Sequence, residues 1–236
     1  MSQEVLIERF IEALISGDRS ASRAVVDECL CADVPAERII EKLFWPTLEE
    51  LGKLYRNDQL SAISHQFATR IMRMLADQMA MRLEQGESRG ERLLIVCGPN
   101  EPNELGGQLV ADVLEAGGYE VFFVGGGIAN DEIISTLGAL KPRSLVLFSS
   151  APSDLPNIRV LIDQLHDQGV CPGLQIVVGG GVFNRAEGLA EEIGADVWVK
   201  TPMEMVEAIR TQAERRMGGD QRTVGRRRRM GRSVAA

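Results

Sequence analysis

Val96-Cys97-Gly98-Pro99-Asn100-Glu101-Pro102-Asn103-Glu104-Leu105-Gly106 joins a short apolar run, Arg92 to Cys97, to a helical pattern running from Glu104 to Ala116. From this junction the chain alternates. Tyr119 to Val124 reads as a strand, Asn130 as the cap of a helix carrying Ile133, Ile134 and Leu137, and Ser144 to Phe148 as the next strand. Ile158 to Leu165 lie in a helix, Leu174 to Val178 and Asp196 to Val199 in two further strands, and Pro202 to about Arg215 in a closing helix. Five near-continuous apolar strands linked by helices predict a parallel sheet covered on both faces with right-handed crossovers, an α/β domain over 91–216. Ligands of such sheets bind at the loops leaving the carboxyl ends of the strands. The candidate loops are Gly98 to Gly106, Gly125 to Asn130, Ser149 to Pro152 and Gly179 to Gly181. Their glycines suit close approach of backbone to ligand, and equally suit tight turns between strand and helix.

Upstream, residues 1–86 carry helical spacing and predict a bundle of four or five helices. Val5, Phe10, Leu14 and Ile15 share one face of the first helix, which ends near Gly17-Asp18, and Ser20 or Ser22 is placed to cap the second. After Val34-Pro35 a third helix groups Ile39, Ile40, Leu43 and Phe44, and Pro46 is expected to bend the chain by disfavouring helical geometry at Trp45. Leu48, Leu51 and Leu54 continue a fourth helix toward Tyr55. A long fifth, from Ser61 to Leu83, carries Ile63, Phe67, Ile71, Met72, Leu75 and Met79, with Met74 and Met81 as further core filling. The polar, glycine-bearing stretch Gln85 to Glu91 is the expected domain boundary.

Composition narrows the classes. With 236 residues and 44% apolar content the chain can bury a substantial core. It has no run approaching 18 apolar residues, and its first residues lack a basic region followed by an apolar one, so no membrane span and a cytoplasmic location are expected. Four scattered cysteines and two histidines do not make the four well-spaced ligands of a structural zinc site; the thiols read as small hydrophobes. His166, beside Asp163 and Asp167, reads as part of a solvated helix face. The net charge is −8, but residues 218–236 hold six arginines against Asp220, so the remainder carries −13. The body should repel nucleic acids, and only the tail around Arg226 to Arg229, expected to be disordered over 217–236, offers phosphate or acidic-partner contacts. The loop after the first strand lacks the Gly-Lys-Ser/Thr ending of a P-loop and the three-glycine spacing of a dinucleotide fold, and Phe148-Ser149 lacks the acid of a phosphoacceptor receiver.

The whole arrangement resembles the cobalamin-binding family of methionine synthase, methanogenic corrinoid proteins and light-sensing cobalamin regulators. Glu101-Pro-Asn103-Glu-Leu-Gly106, Ser149-Ser150-Ala151 and Gly179-Gly180 stand where that family has Asp-x-His-x-x-Gly, Ser-x-Leu and Gly-Gly, and Gly194-Ala-Asp196 also fits. Pro46 to Thr69 resembles the cap segment, with Tyr55 where Trp is usual and Ser64-His65 where Glu-His is usual. The resemblance implies a flavodoxin-like, Rossmann-like sheet domain under a helical cap, with a corrinoid between them. It implies cofactor contacts at Glu101, Asn103, Gly106, Gly125, Ser149, Ser150, Gly179, Gly180, Tyr55 and His65.

In that family a histidine is the lower cobalt ligand, and Asn103 stands in its place. A carboxamide nitrogen has no comparable lone pair and binds cobalt poorly. Four outcomes stay open: cobalamin with weak or water lower ligation, His65 as metal ligand from the cap, haem in place of the corrinoid, or a cofactor-free interaction module. Because a methyl carrier leans on the absent histidine, the resemblance here implies a non-catalytic sensory or regulatory protein with a regulatory protein partner. The alternative is a corrinoid methyl-carrier subunit of a methyltransferase system. A homo-oligomer is left open.

Overall fold

A computed structural model describes residues 2–99 and 104–217. Five strands, β1 (Arg92–Cys97), β2 (Glu120–Gly125), β3 (Ser144–Phe148), β4 (Gln175–Gly179) and β5 (Val197–Val199), form one parallel sheet in the order β2-β1-β3-β4-β5. Order reverses between β1 and β3, so the loops after these two strands part and leave a crevice at their carboxyl ends. Alternation along each strand divides the core. Leu93, Ile95, Cys97, Val146, Phe148, Val177 and Val199 face α6 (Leu105–Ala116) and α11 (Pro202–Thr211). Leu94, Val96, Leu145, Leu147, Ile176 and Val178 face α7 (Asn130–Leu140), α8 (Leu155–Gln168) and the short α9 (Gly181–Arg185) and α10 (Leu189–Ile193). The predicted parallel α/β sheet is therefore present, and the short α9 and α10 are additions the sequence pattern did not resolve. Asn130 is the first residue of α7 rather than its cap; its amide pairs with that of Asn157.

The bundle consists of α1 (Gln3–Ile15), α2 (Arg19–Cys31), α3 (Ala36–Ile39), α4 (Trp45–Arg56) and α5 (Ala62–Ala80). Its core is Phe10 stacked on Phe44, with Leu14, Leu51, Met72, Leu75 and Met79 fully buried around them. Four local expectations are corrected. Asp18, not Ser20 or Ser22, caps α2, because its carboxylate accepts from the backbone of Ser20 and Ala21. Trp45 is helical rather than bent away: a π turn over Ile40–Phe44, in which Trp45 N–H donates to Ile40 C=O, lets the helix absorb Pro46. Ile63 and Phe67 are 67% and 47% exposed, and Met81 is 90% exposed, since the α5 stripe that meets the bundle is Ala68, Ile71, Met72, Leu75 and Met79 instead. Val5 is likewise largely exposed.

Lid and sheet share one apolar core, because the bundle's buried residues are continuous with the α6/α11 face. The connecting segment is tied down. Gly86 N–H donates to Ala116 C=O at 2.7 Å, Arg89 N–H to Gly118 C=O at 2.8 Å, and the Arg89 guanidinium to Gly117 C=O at 2.7 Å.

Candidate functional site

The carboxyl-end rim of the sheet is built by short mutual ties. Gly98 N–H donates to Phe148 C=O at 2.8 Å and Ser149 N–H to Gly179 C=O at 3.0 Å, which extends the sheet one residue past β1 and β3. Ser149 is fully buried and its hydroxyl donates to Asp154 Oδ2 at 2.7 Å, so Asp154, itself fully buried, fixes the Ser149 rotamer. Glu104 sits in the left-handed region at φ 54° just before α6, and its carboxylate accepts from Gly126 N–H at 2.6 Å. It thus clamps the loop after β1 to the loop after β2, with Gly125 pressed against the same carboxylate. Arg185 donates to Ser150 C=O at 2.8 Å.

Of the residues expected from the sequence, Gly106, Gly125, Ser149, Ser150, Gly179 and Gly180 all lie in this rim. Gly106 packs directly on Phe148, and Gly180, at φ 106°, lies against the Ser149 carbonyl. Glu101 and Asn103 lie outside the described residues. Tyr55 and His65 stack on each other with ring centroids 4.2 Å apart at 17°. His65 is 8% exposed under the 42% exposed Tyr55, and burial lowers its pKa, which keeps the imidazole neutral.

Contacts joining lid to sheet run through other residues. Trp45 meets Phe148 edge-on, with ring centroids 6.2 Å apart at 76°. One turn along α4, Glu49 accepts from the Asn184 amide at 3.3 Å; the facing domain raises the Glu49 pKa by desolvation, and the Asn184 bond opposes this. On the other flank Gln108 of α6 donates to Asp77 of α5 at 2.6 Å. Glu104, Asp154, Trp45 and Asn184 were not singled out by sequence reasoning. The signal that could have found Asp154 is its place as the first acid after β3, five residues beyond Ser149.

Asp112 follows Gln108 by one turn, and one of its carboxylate oxygens is buried without a partner. Burial, then Asp77, then Glu115 push its pKa up to about 7. The folded chain therefore holds this proton more tightly than the unfolded one. Stability from this group is full below about pH 4, falls as pH rises, and reaches its floor above about pH 7. Asp112→Asn should raise the melting temperature at pH 8, by the equivalent of about 1 kcal/mol after allowing for solvent screening, and leave it nearly unchanged at pH 4. Equal shifts at both pH values would show that ionisation of the buried Asp112 carboxyl is not the cause.

With this geometry in place, two family models match the chain, both described as B12 binding domain, over residues 6–78 and 91–210. The chain belongs to the B12-binding family. Among its relatives, dimethylamine corrinoid protein 1 of Methanosarcina acetivorans is 26% identical over 215 residues, covering 87% of this chain and 96% of the relative. Trimethylamine corrinoid protein of Methanosarcina barkeri is 23% identical over 213 residues, covering 89% and 97%. The solved structure of the monomethylamine corrinoid protein of M. barkeri superposes with a TM-score of 0.77 at 18% identity, over 88% of this chain and 98% of that one, and so shares the fold.

Cobalamin, rather than haem or no cofactor, is the group this B12-binding chain is matched to. The residues present fit it. The rim is glycine-lined, and the seam above it holds a buried donor, Trp45 Nε1, and a buried acceptor, Asn184 Oδ1, neither with a protein partner among the described residues. A ligand rich in amide groups can satisfy both.

Proposed function

We propose that this B12-binding protein is a corrinoid carrier: it holds cobalamin between the helical lid and the sheet rim and offers it to a methyltransferase partner. What supports this is the near end-to-end likeness, lid and sheet together, to corrinoid proteins named for mono-, di- and trimethylamine. The sensory role inferred from Asn103 is the weaker reading, since no relative named here is a regulator. Bound cobalamin would supply a cobalt able to take up and release a methyl group.

The chain's own part is to bind and orient. Ser149, held by Asp154, and the backbone of Gly179 and Gly180, tied to Ser149 and to α9, set the shape of the rim at the carboxyl ends of β3 and β4. Glu104 holds the loops after β1 and β2 together. Tyr55 and His65 are the lid residues proposed to cover the upper side. The neutral His65 imidazole keeps a lone pair, although Tyr55 shields one face of its ring. Asn103 would leave the lower cobalt position to water or a weak ligand.

Gel filtration after incubation with hydroxocobalamin and with methylcobalamin tests the binding step. Roughly stoichiometric chromophore in the protein peak is expected, and a colourless peak would overturn the proposal. Asn103→His should then shift the visible bands of the retained hydroxocobalamin, because imidazole is the better cobalt ligand. Unchanged bands would mean that residue 103 does not reach the metal. Transfer of methyl groups to the reduced, loaded protein by the methyltransferases that serve the amine corrinoid proteins separates a carrier from a sensor; no transfer with any of them favours the sensor.

A further inference from the structure

Trp45 is 5% exposed, and its indole N–H has no partner among the described residues although the ring is well packed. An orphaned buried donor costs free energy unless something supplies an acceptor. Asn184 shows the converse. Its amide nitrogen donates to Glu49 Oε1 and to Lys200 C=O, both at 3.3 Å, and since both neighbours are acceptors the amide orientation is fixed. The buried Oδ1 is then left with no donor.

The two atoms belong to one seam. Trp45 and Glu49 are four residues apart and share a face of α4. That face meets Phe148 at the end of β3 and Asn184 just beyond the end of β4, and β3 and β4 are neighbours. Trp198, whose indole nitrogen is also buried without a partner, packs instead against the α7/α8 face of the sheet beneath the Lys200 ammonium.

The chemistry at the seam selects its ligand group. A neutral donor and a neutral acceptor ask for a group carrying both functions, and the Glu49 carboxylate alongside disfavours phosphate or carboxylate. Primary carboxamides, which ring the edge of a corrin, meet these conditions. We propose that Trp45 Nε1–H and Asn184 Oδ1 grip the peripheral carboxamide side chains of the corrinoid, the indole donating to an amide oxygen and Asn184 accepting from an amide N–H. This rests on the cobalamin-carrier reading and assigns two of its ligand contacts.

Protein labelled with 15N-tryptophan gives two indole signals, from Trp45 and Trp198, and Trp45→Phe assigns them. On titration with hydroxocobalamin, the Trp45 indole proton should move downfield while that of Trp198 stays in place. Trp45→Phe keeps an aromatic ring against Phe148, and it and Asn184→Ala should each bind hydroxocobalamin about tenfold more weakly, the scale of one buried hydrogen bond. Circular dichroism checks that both variants fold. Chromophore retained by the wild type with an unmoved Trp45 signal would overturn the inference and leave cobalamin binding intact, even if Trp45→Phe weakened binding through packing. A wild type that retains no chromophore would sink both this inference and the carrier reading.

Discussion

Phe148→Ala should lower the unfolding free energy by about 3–5 kcal/mol, the usual cost of emptying a buried phenylalanine site. The side chain is 4% exposed and does two jobs at once. It fills the space over Gly106, so close that a Cβ there would collide with its ring, and it carries the edge-on contact with Trp45. Removing it should loosen α6 and part the lid from the rim in the same step. Two measurements check this: the urea midpoint, and proteolysis of the segment from Gln85 to Glu91, which should be cut faster in the variant. A variant that loses stability with no change in cleavage would show that the lid is held by the α5–α6 contact and not through Phe148.

Gly180→Ala should be comparably damaging for a different reason. At φ 106° an L residue is strained, and the added Cβ would run into the Ser149 carbonyl, a backbone atom that cannot rotate aside. Relief would displace Ser149, and with it the hydroxyl held by Asp154. A loss of about 3 kcal/mol or more is expected. Gly127→Ala is the matched control, since Gly127 also has positive φ, at 75°, but its Cβ would meet nothing within 4 Å. That change should cost only the left-handed penalty of about 1 kcal/mol. Equal losses at the two positions, read from thermal melts, would refute the collision argument.

Sequence reasoning worked best where periodicity is local. The five strands fell within a residue or so of their observed limits because each is a dense apolar run bounded by turn residues, and Ser144 to Phe148 was placed without error. The rim glycines and Ser149 were legible because a parallel sheet puts its loops at one edge. The lid was harder. Ile63 and Phe67 have helical spacing and apolar side chains, but which stripe of α5 turns inward depends on where α1 and α4 sit, and no local pattern states that. Pro46 was misjudged for the same reason: the local rule penalises a helix there, while the packed neighbours Phe44 and Trp45 repay the cost of a π turn. Glu104, Asp154, Trp45 and Asn184 act through partners 5 to more than 100 residues away, and pairings of that kind are fixed by the fold rather than by spacing. The regulatory inference drawn from Asn103 was likewise set by one residue, and the likeness of the whole chain to amine corrinoid proteins favours its alternative.

The tie between the connecting segment and the far end of α6 makes that end a spine. Gly86 and Arg89 are anchored to Ala116, Gly117 and Gly118, at the amino-terminal edge of the sheet, whereas Trp45 and Phe148 meet at the opposite edge. α6, 12 residues long, is the lever between them, about 18 Å. A pivot of about 15° at the spine would part the pages by about 5 Å at the rim, and it would break the Trp45–Phe148, Glu49–Asn184 and Gln108–Asp77 contacts while the ties at Ala116 to Gly118 held, so the cost of admitting a flat guest is concentrated at the open edge.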